Sequence, residues 1–141
     1  MIKTKMKAIE ESLELVKKNL PEKFEEFAVM GLTKDGIYKR IEFCIQEVLD
    51  ICAIINSDLN LGIPASEENI LDNLTKNKIV STELGEKVKQ MKGFRNILVH
   101  RYGEINDKQA FEIIKDGLED FRQFIKEFEE VLTKYSQVPR S

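Results

Sequence analysis

The chain has 141 residues, with 22 Lys and Arg set against 25 Asp and Glu, and a single His. That length fits one domain, taken as residues 1–141, able to bury a core without disulfide or metal support, and its plentiful apolar residues exclude bulk disorder. No apolar run approaches the ~20 residues needed to span a bilayer, so the expectation is a cytoplasmic protein without membrane contact, and a net charge of −3 creates no global field that draws in nucleic acid.

Gly and Pro are scarce while Leu, Ile, Glu and Lys abound, which favours helices. The first runs from about Ile2 to Leu20, where Ile2, Met6, Ile9, Leu13, Val16 and Leu20 recur at steps of three and four. Glu10, Glu11 and Glu14 interrupt the apolar start, so it reads as an amphipathic helix rather than a signal peptide. Pro21 breaks it, and a short helical piece follows through Phe24, Phe27 and Met30. Gly31 and Gly36 bracket a loop, with Asp35 as N-cap of a long helix over Gly36 to Leu59. That helix carries an apolar stripe wide enough for the centre of a bundle. Cys44 and Cys52 lie in it eight residues apart, about 12 Å along the axis, too far for a disulfide, and read as small buried side chains.

Asn60 to Pro64 ends the helix, and Ser66, Glu67 and Glu68 open a short one, the acids suiting the helix dipole. Ser81 or Thr82 starts the next, which continues to about Tyr102. After a turn at Gly103, Asn106 with Gln109 resembles a capping box and opens the last long helix. Its stripe is Phe111, Ile114, Leu118, Phe121, Ile125, Phe128 and Leu132, with a frayed tail expected from about residue 136. Without an alternating strand pattern, repeat or low-complexity segment, the chain is expected to be an all-α antiparallel bundle of four or five helices.

Charge is unevenly spread. From Lys76 to Arg101 seven Lys and Arg face only Glu83 and Glu86, a local +5, which leaves −8 for the remainder. Such a segment suits either an anion site or a solvated helix face. On a helical wheel with Leu84 at zero, Met91, Val88, Leu98, Val99 and Phe94 fall within about 80° of that line. Arg95 falls among them, near 20°, and Tyr102 near zero. An arginine in an apolar stripe has to find a partner or line a cleft, because an unpaired buried guanidinium costs several kcal/mol. Glu42 and Glu47 are the candidate acids for a purely structural ion pair. His100, the lone histidine, lies about 140° from Arg95 on the same wheel. Its position at a helix C-terminus has a structural reading too, since the dipole there favours an imidazolium.

Arg95-Asn96-Ile97-Leu98-Val99-His100-Arg101-Tyr102 fits the pattern R-x4-H-x-Y. It resembles the motif of HepT-like ribonuclease toxins of the HEPN superfamily, and Met91-Lys92-Gly93-Phe94 ahead of it resembles the motif's usual context. The resemblance extends to helix order and covers most of the chain. It implies a HEPN-type bundle and a metal-independent endoribonuclease with no cofactor, acting as a homodimer whose two motifs share one cleft. Arg95 and His100 are then the catalytic pair: an imidazole supplies base or acid, and a guanidinium binds the phosphorane. Asn96, one turn before His100, supports them. The resemblance also implies an MNT-type nucleotidyltransferase antitoxin that adds AMP to Tyr102, a bulky anion beside the cleft. Lys87, Lys89, Lys92 and Arg101 are candidates to hold the RNA backbone.

Metal hydrolysis is disfavoured by one histidine and no close cysteine pair, and no G-x-x-x-x-G-K or G-x-G-x-x-G loop is present for a nucleotide. The rival reading is a non-catalytic helical module that pairs with a nucleotidyltransferase or binds a nucleotide, in which Arg95 and His100 are structural.

Overall fold

The computed structural model describes residues 1–135, and the tail expected to fray from about residue 136 lies outside the described residues. In chain order the elements are α1 (Ile2–Asn19), α2 (Phe24–Ala28), α3 (Leu32–Asp58), α4 (Glu67–Lys76), α5 (Thr82–His100), a 3-10 turn at Tyr102–Glu104, and α6 (Asp107–Tyr135). No strand occurs among the described residues. The four long helices make the bundle, and α2 and α4 are short additions to it.

Side-chain pairs fix the helix directions. Lys5 reaches Glu47 and Asp50, while Arg40 reaches Ser12, so α1 and α3 are antiparallel. Lys87 meets Asp120 and Ser81 meets Glu127, which makes α5 and α6 antiparallel. Central α3 buries Ile37, Ile41, Cys44, Ile45, Val48, Ile51, Cys52 and Ile55, the wide stripe its sequence suggests. Phe111, Ile114, Phe121, Ile125 and Phe128 of α6 close the same core, joined by Phe124 stacked on Phe128. Both cysteines are free and buried, and burial pushes the Cys44 thiol up to about 12.

Local chemistry explains where helices begin. Ser66 Oγ accepts from the Asn69 N–H at 3.1 Å, Ser81 Oγ from Leu84 at 3.1 Å, and Asn106 Oδ1 from Gln109 at 3.0 Å. Each such cap contributes ~1 kcal/mol. The start of α3 departs from expectation. It begins at Leu32, with Gly31 at φ +60° as N-cap, and Gly36 lies inside the helix rather than beside a loop. Leu32 to Asp35 contain no helix breaker, and a positive φ is accessible to Gly31 without strain. Asp35 therefore does not cap. It stands in the first turn with its carboxylate available to another element.

α5 also ends two residues earlier than its pattern suggests. Arg101 leaves helical geometry at φ −137°, ψ 41°, and Tyr102 sits on the 3-10 turn. The helical wheel stops applying at that point. Near the other end of α5, Gly85 allows α4 close: a methyl there would lie 2.6 Å from Thr75 Oγ1.

Candidate active site

Helix α5 carries the motif, and α3 runs antiparallel beside it. Gln46 of α3 lies against Arg95 and Asp35 against Tyr102. The stretch of α5 between Arg95 and the 3-10 turn is the candidate site.

Arg95 is nearly enclosed, with 13% of its side chain exposed. Its Nη2 donates to Glu67 Oε1 at 2.8 Å and to Asn96 Oδ1 at 2.8 Å. Nη1 donates to Gln46 Oε1 at 2.8 Å and to Glu67 Oε2 at 3.3 Å, and Nε donates to Asn96 Oδ1 at 3.2 Å. A guanidinium has five N–H groups, and each has an acceptor here. The expectation that an arginine in an apolar stripe has a partner therefore holds, but the expected acids do not supply it. Glu42 pairs with Lys39 and Glu47 with Lys5. The carboxylate comes instead from Glu67, on a helix separated from α3 by a loop.

His100 is the last residue of α5 and is exposed, with no side-chain hydrogen bond among the described residues. Among the described residues no hydrogen bond joins it to Arg95, in line with their separation on the wheel. Asn96, expected beside His100, turns its side-chain oxygen to Arg95 instead.

Tyr102 is 44% exposed, and its ring stands edge-on to Tyr38 at 5.9 Å. Its hydroxyl donates a short hydrogen bond to Asp35. Desolvation and the Asp35 carboxylate both push its ionisation well above the ordinary phenol range. Tyr38 in turn donates to Asp107 at 2.6 Å, and Lys34 pairs with the same carboxylate at 2.8 Å. Asp35, Tyr38, Lys39, Glu42, Leu98 and Tyr102 line a groove of about 330 Å3.

The expected backbone-binding cations divide. Arg101 is exposed and has no side-chain partner among the described residues. Lys87 meets Asp120 at 3.0 Å and Glu83 at 3.1 Å, Lys89 meets Asp72 at 2.8 Å, and Lys92 meets Glu68 at 3.5 Å. Hydrogen bonds to those acids raise the ammonium ionisation of Lys87 and Lys89. Among the described residues no cluster of three or more His, Cys, Asp or Glu has metal-ligating geometry, and no helix is long and apolar enough to cross a membrane.

Gln46, Glu67 and Asp35 are the site residues that the sequence reading missed. Glu67 and Asp35 had a sufficient local account as helix-terminal acids, so nothing in the pattern pointed to a long-range partner. Gln46 is an ordinary polar residue within a helix.

Residues 9–128 match the family described as ribonuclease HepT-like, and the chain belongs to that family. It is 35% identical over 92 residues to the mRNA nuclease HepT of Shewanella oneidensis, covering 65% of this chain and 69% of that one. It is 28% identical over 131 residues to the tRNA nuclease HepT of Aphanizomenon flos-aquae, covering 88% and 89% of the two chains. A solved structure of a tri-AMPylated S. oneidensis HEPN toxin in complex with an MNT antitoxin superposes with a TM-score of 0.84 at 28% identity, over 92% of this chain and 96% of that one.

Proposed function

We propose that this protein is a metal-independent endoribonuclease toxin, with an active site completed across a homodimer and silenced by AMP addition to Tyr102. The observation that carries the reading is the intact Arg95–His100–Tyr102 series in a HepT-like chain, with His100 and Tyr102 both exposed at one end of α5.

RNA brings its own nucleophile, the 2′-hydroxyl. Cleavage requires removal of that proton, protonation of the departing 5′-oxygen, and positive charge against the phosphorane. One chain offers a single imidazole, so two protomers supply two, one as base and one as acid. The separation of Arg95 from His100 within a protomer supports a site assembled between copies. Val99 and Tyr102, exposed on either side of His100, give a partner protomer apolar surface to cover. Arg101, exposed and without a side-chain partner among the described residues, adds a cation for the RNA backbone, and Lys87, Lys89 and Lys92 become available on exchange of their carboxylate partners.

AMP addition fits the surroundings of Tyr102. Esterifying its oxygen removes the proton donated to Asp35 and sets a phosphate anion against that carboxylate. The ring then has to leave its place, carrying the adenylate out beside His100. An MNT-type nucleotidyltransferase antitoxin, like the one in complex with the similar toxin, transfers the AMP from ATP: the Tyr102 oxygen bonds to the α-phosphorus, the α–β phosphoanhydride breaks, and pyrophosphate leaves.

The closed surroundings of Arg95 favour one other reading, a non-catalytic helical partner of a nucleotidyltransferase in which Arg95 only braces α4. One experiment separates the two: purified protein, His100→Ala and Arg95→Ala are each incubated with RNA in EDTA. The nuclease reading expects cleavage by the native chain only. Identical traces from all three would leave the bracing role alone.

A further inference from the structure

Helix α4 carries three acids, Glu67, Glu68 and Asp72, and each is paired with a cation of α5. Glu67 holds Arg95 at 2.8 Å, Glu68 holds Lys92 at 3.5 Å, and Asp72 holds Lys89 at 2.8 Å. The two helices run antiparallel, so the acids follow the cations in order, 67 to 95, 68 to 92, and 72 to 89. A row of three positive charges is thereby matched by a row of three negative ones.

A carboxylate on arginine has the same two-point geometry as a phosphate on arginine. Glu67 occupies both Nη groups of Arg95 and is the more open of that pair, with 39% of its side chain exposed against 13%. It therefore sits on the side from which a phosphodiester would approach. Glu68 and Asp72 are more exposed still, and exposed ion pairs hold weakly. The two ends of α4 are also held differently. Leu71 and Leu74 are buried, Asn73 bonds to buried Asn56, and Thr75 abuts Gly85. The N-terminal turn with Glu67 and Glu68 follows the exposed stretch 62–66.

We propose that α4 is an acidic strap that stands in for RNA: its carboxylates occupy the phosphate positions on α5 in the free protein, and RNA binds by exchanging phosphates for them. The identity of the polyanion rests on the nuclease reading above. The exchange itself involves only side chains, since Glu67 and Glu68 can swing to solvent while the buried half of α4 stays in place. The strap makes the cations selective: an isolated anion gains too little to displace three acids, whereas a polyanion displaces them together.

The test measures binding of a 2′-O-methyl RNA oligonucleotide, which lacks the nucleophile and is not cut, by fluorescence anisotropy over a range of salt. The variants are Glu67→Gln, the triple Glu67→Gln/Glu68→Gln/Asp72→Asn, and a control with exposed acids neutralised on α1, Glu10→Gln/Glu11→Gln/Glu14→Gln. The strap predicts at least tenfold tighter binding for the triple, most of it present in Glu67→Gln and lost when Arg95→Ala is added. It also predicts a steeper salt dependence, because exchange no longer liberates carboxylates that recapture cations. Equal gain in the α1 control, or no gain in either α4 variant while melting curves show a folded protein, would overturn it. Glutamine at 67 keeps an acceptor for Arg95, so the single variant guards against misfolding of the triple. Failure of the nuclease reading would appear separately, as RNA cleavage insensitive to His100→Ala.

Discussion

The two ends of the motif lie in opposite environments. Arg95 is enclosed by α3 and α4 with every side-chain N–H donor engaged, whereas His100, five residues on, is exposed and has no side-chain hydrogen bond among the described residues. The difference shows that one helix can serve two purposes. On the nuclease reading its middle serves the scaffold as well as the reaction, and its end serves the reaction alone. A residue of the first kind affects folding when removed, and a residue of the second kind affects only the reaction.

The largest expected effects divide these roles. His100→Ala should lower RNA cleavage by about 100-fold or more, the usual weight of a lost acid or base, and leave the melting temperature within a few degrees. Arg95→Ala should abolish cleavage as well but also destabilise the fold by about 1–3 kcal/mol, because Gln46, Asn96 and Glu67 lose a charged donor. Activity assays paired with thermal melts of both variants test this. A melting temperature equally unchanged in Arg95→Ala would show the surrounding network to be without energetic weight, and the contrast between the two ends would fall.

How much of this was legible beforehand depended on the range of each interaction. Helix periodicity is local, so α1, α5 and α6 lie close to where their apolar stripes suggest, and Ser66, Ser81 and Asn106 cap as their positions imply. The anomaly of Arg95 is also local, since a charge in an apolar stripe is visible on the wheel. Its partner is not. Glu67 lies 28 residues away across a loop, and many acids compete for such a pairing until the fold selects one. Asp35 was obscured in another way. An acid near a helix start already has a sufficient reason to be there, and only the true start at Leu32 leaves it free to meet Tyr102. The antiparallel run of α3 beside α5 is what joins Asp35 and Gln46 to the motif.

A smaller effect is expected at the exposed end. Tyr102→Phe removes the hydrogen bond to Asp35 but keeps the edge-on contact with Tyr38. The loss should be about 1 kcal/mol in a denaturant titration, while incorporation of labelled AMP by a nucleotidyltransferase partner should vanish entirely. AMP still entering Tyr102→Phe would move the modification to another residue and detach the exposed end from regulation.

The least effect is expected from Ser66→Ala, and it bears most directly on the contrast between the two ends. Ser66 makes no hydrogen bond to α5 among the described residues, but its hydroxyl oxygen holds the Asn69 amide and so orders the turn that presents Glu67. Loss of that cap should cost ~1 kcal/mol. The consequence is directional: hydrogen exchange should quicken at the Asn69 amide and its neighbours, and the Arg95 guanidinium should become more mobile in side-chain relaxation measurements. The His100 ring, which depends on nothing in α4, should be unaffected. If the imidazole responds as strongly as the guanidinium, the two ends of α5 are mechanically coupled after all, and the division between scaffold and reactive end would have to be replaced by a single cooperative unit.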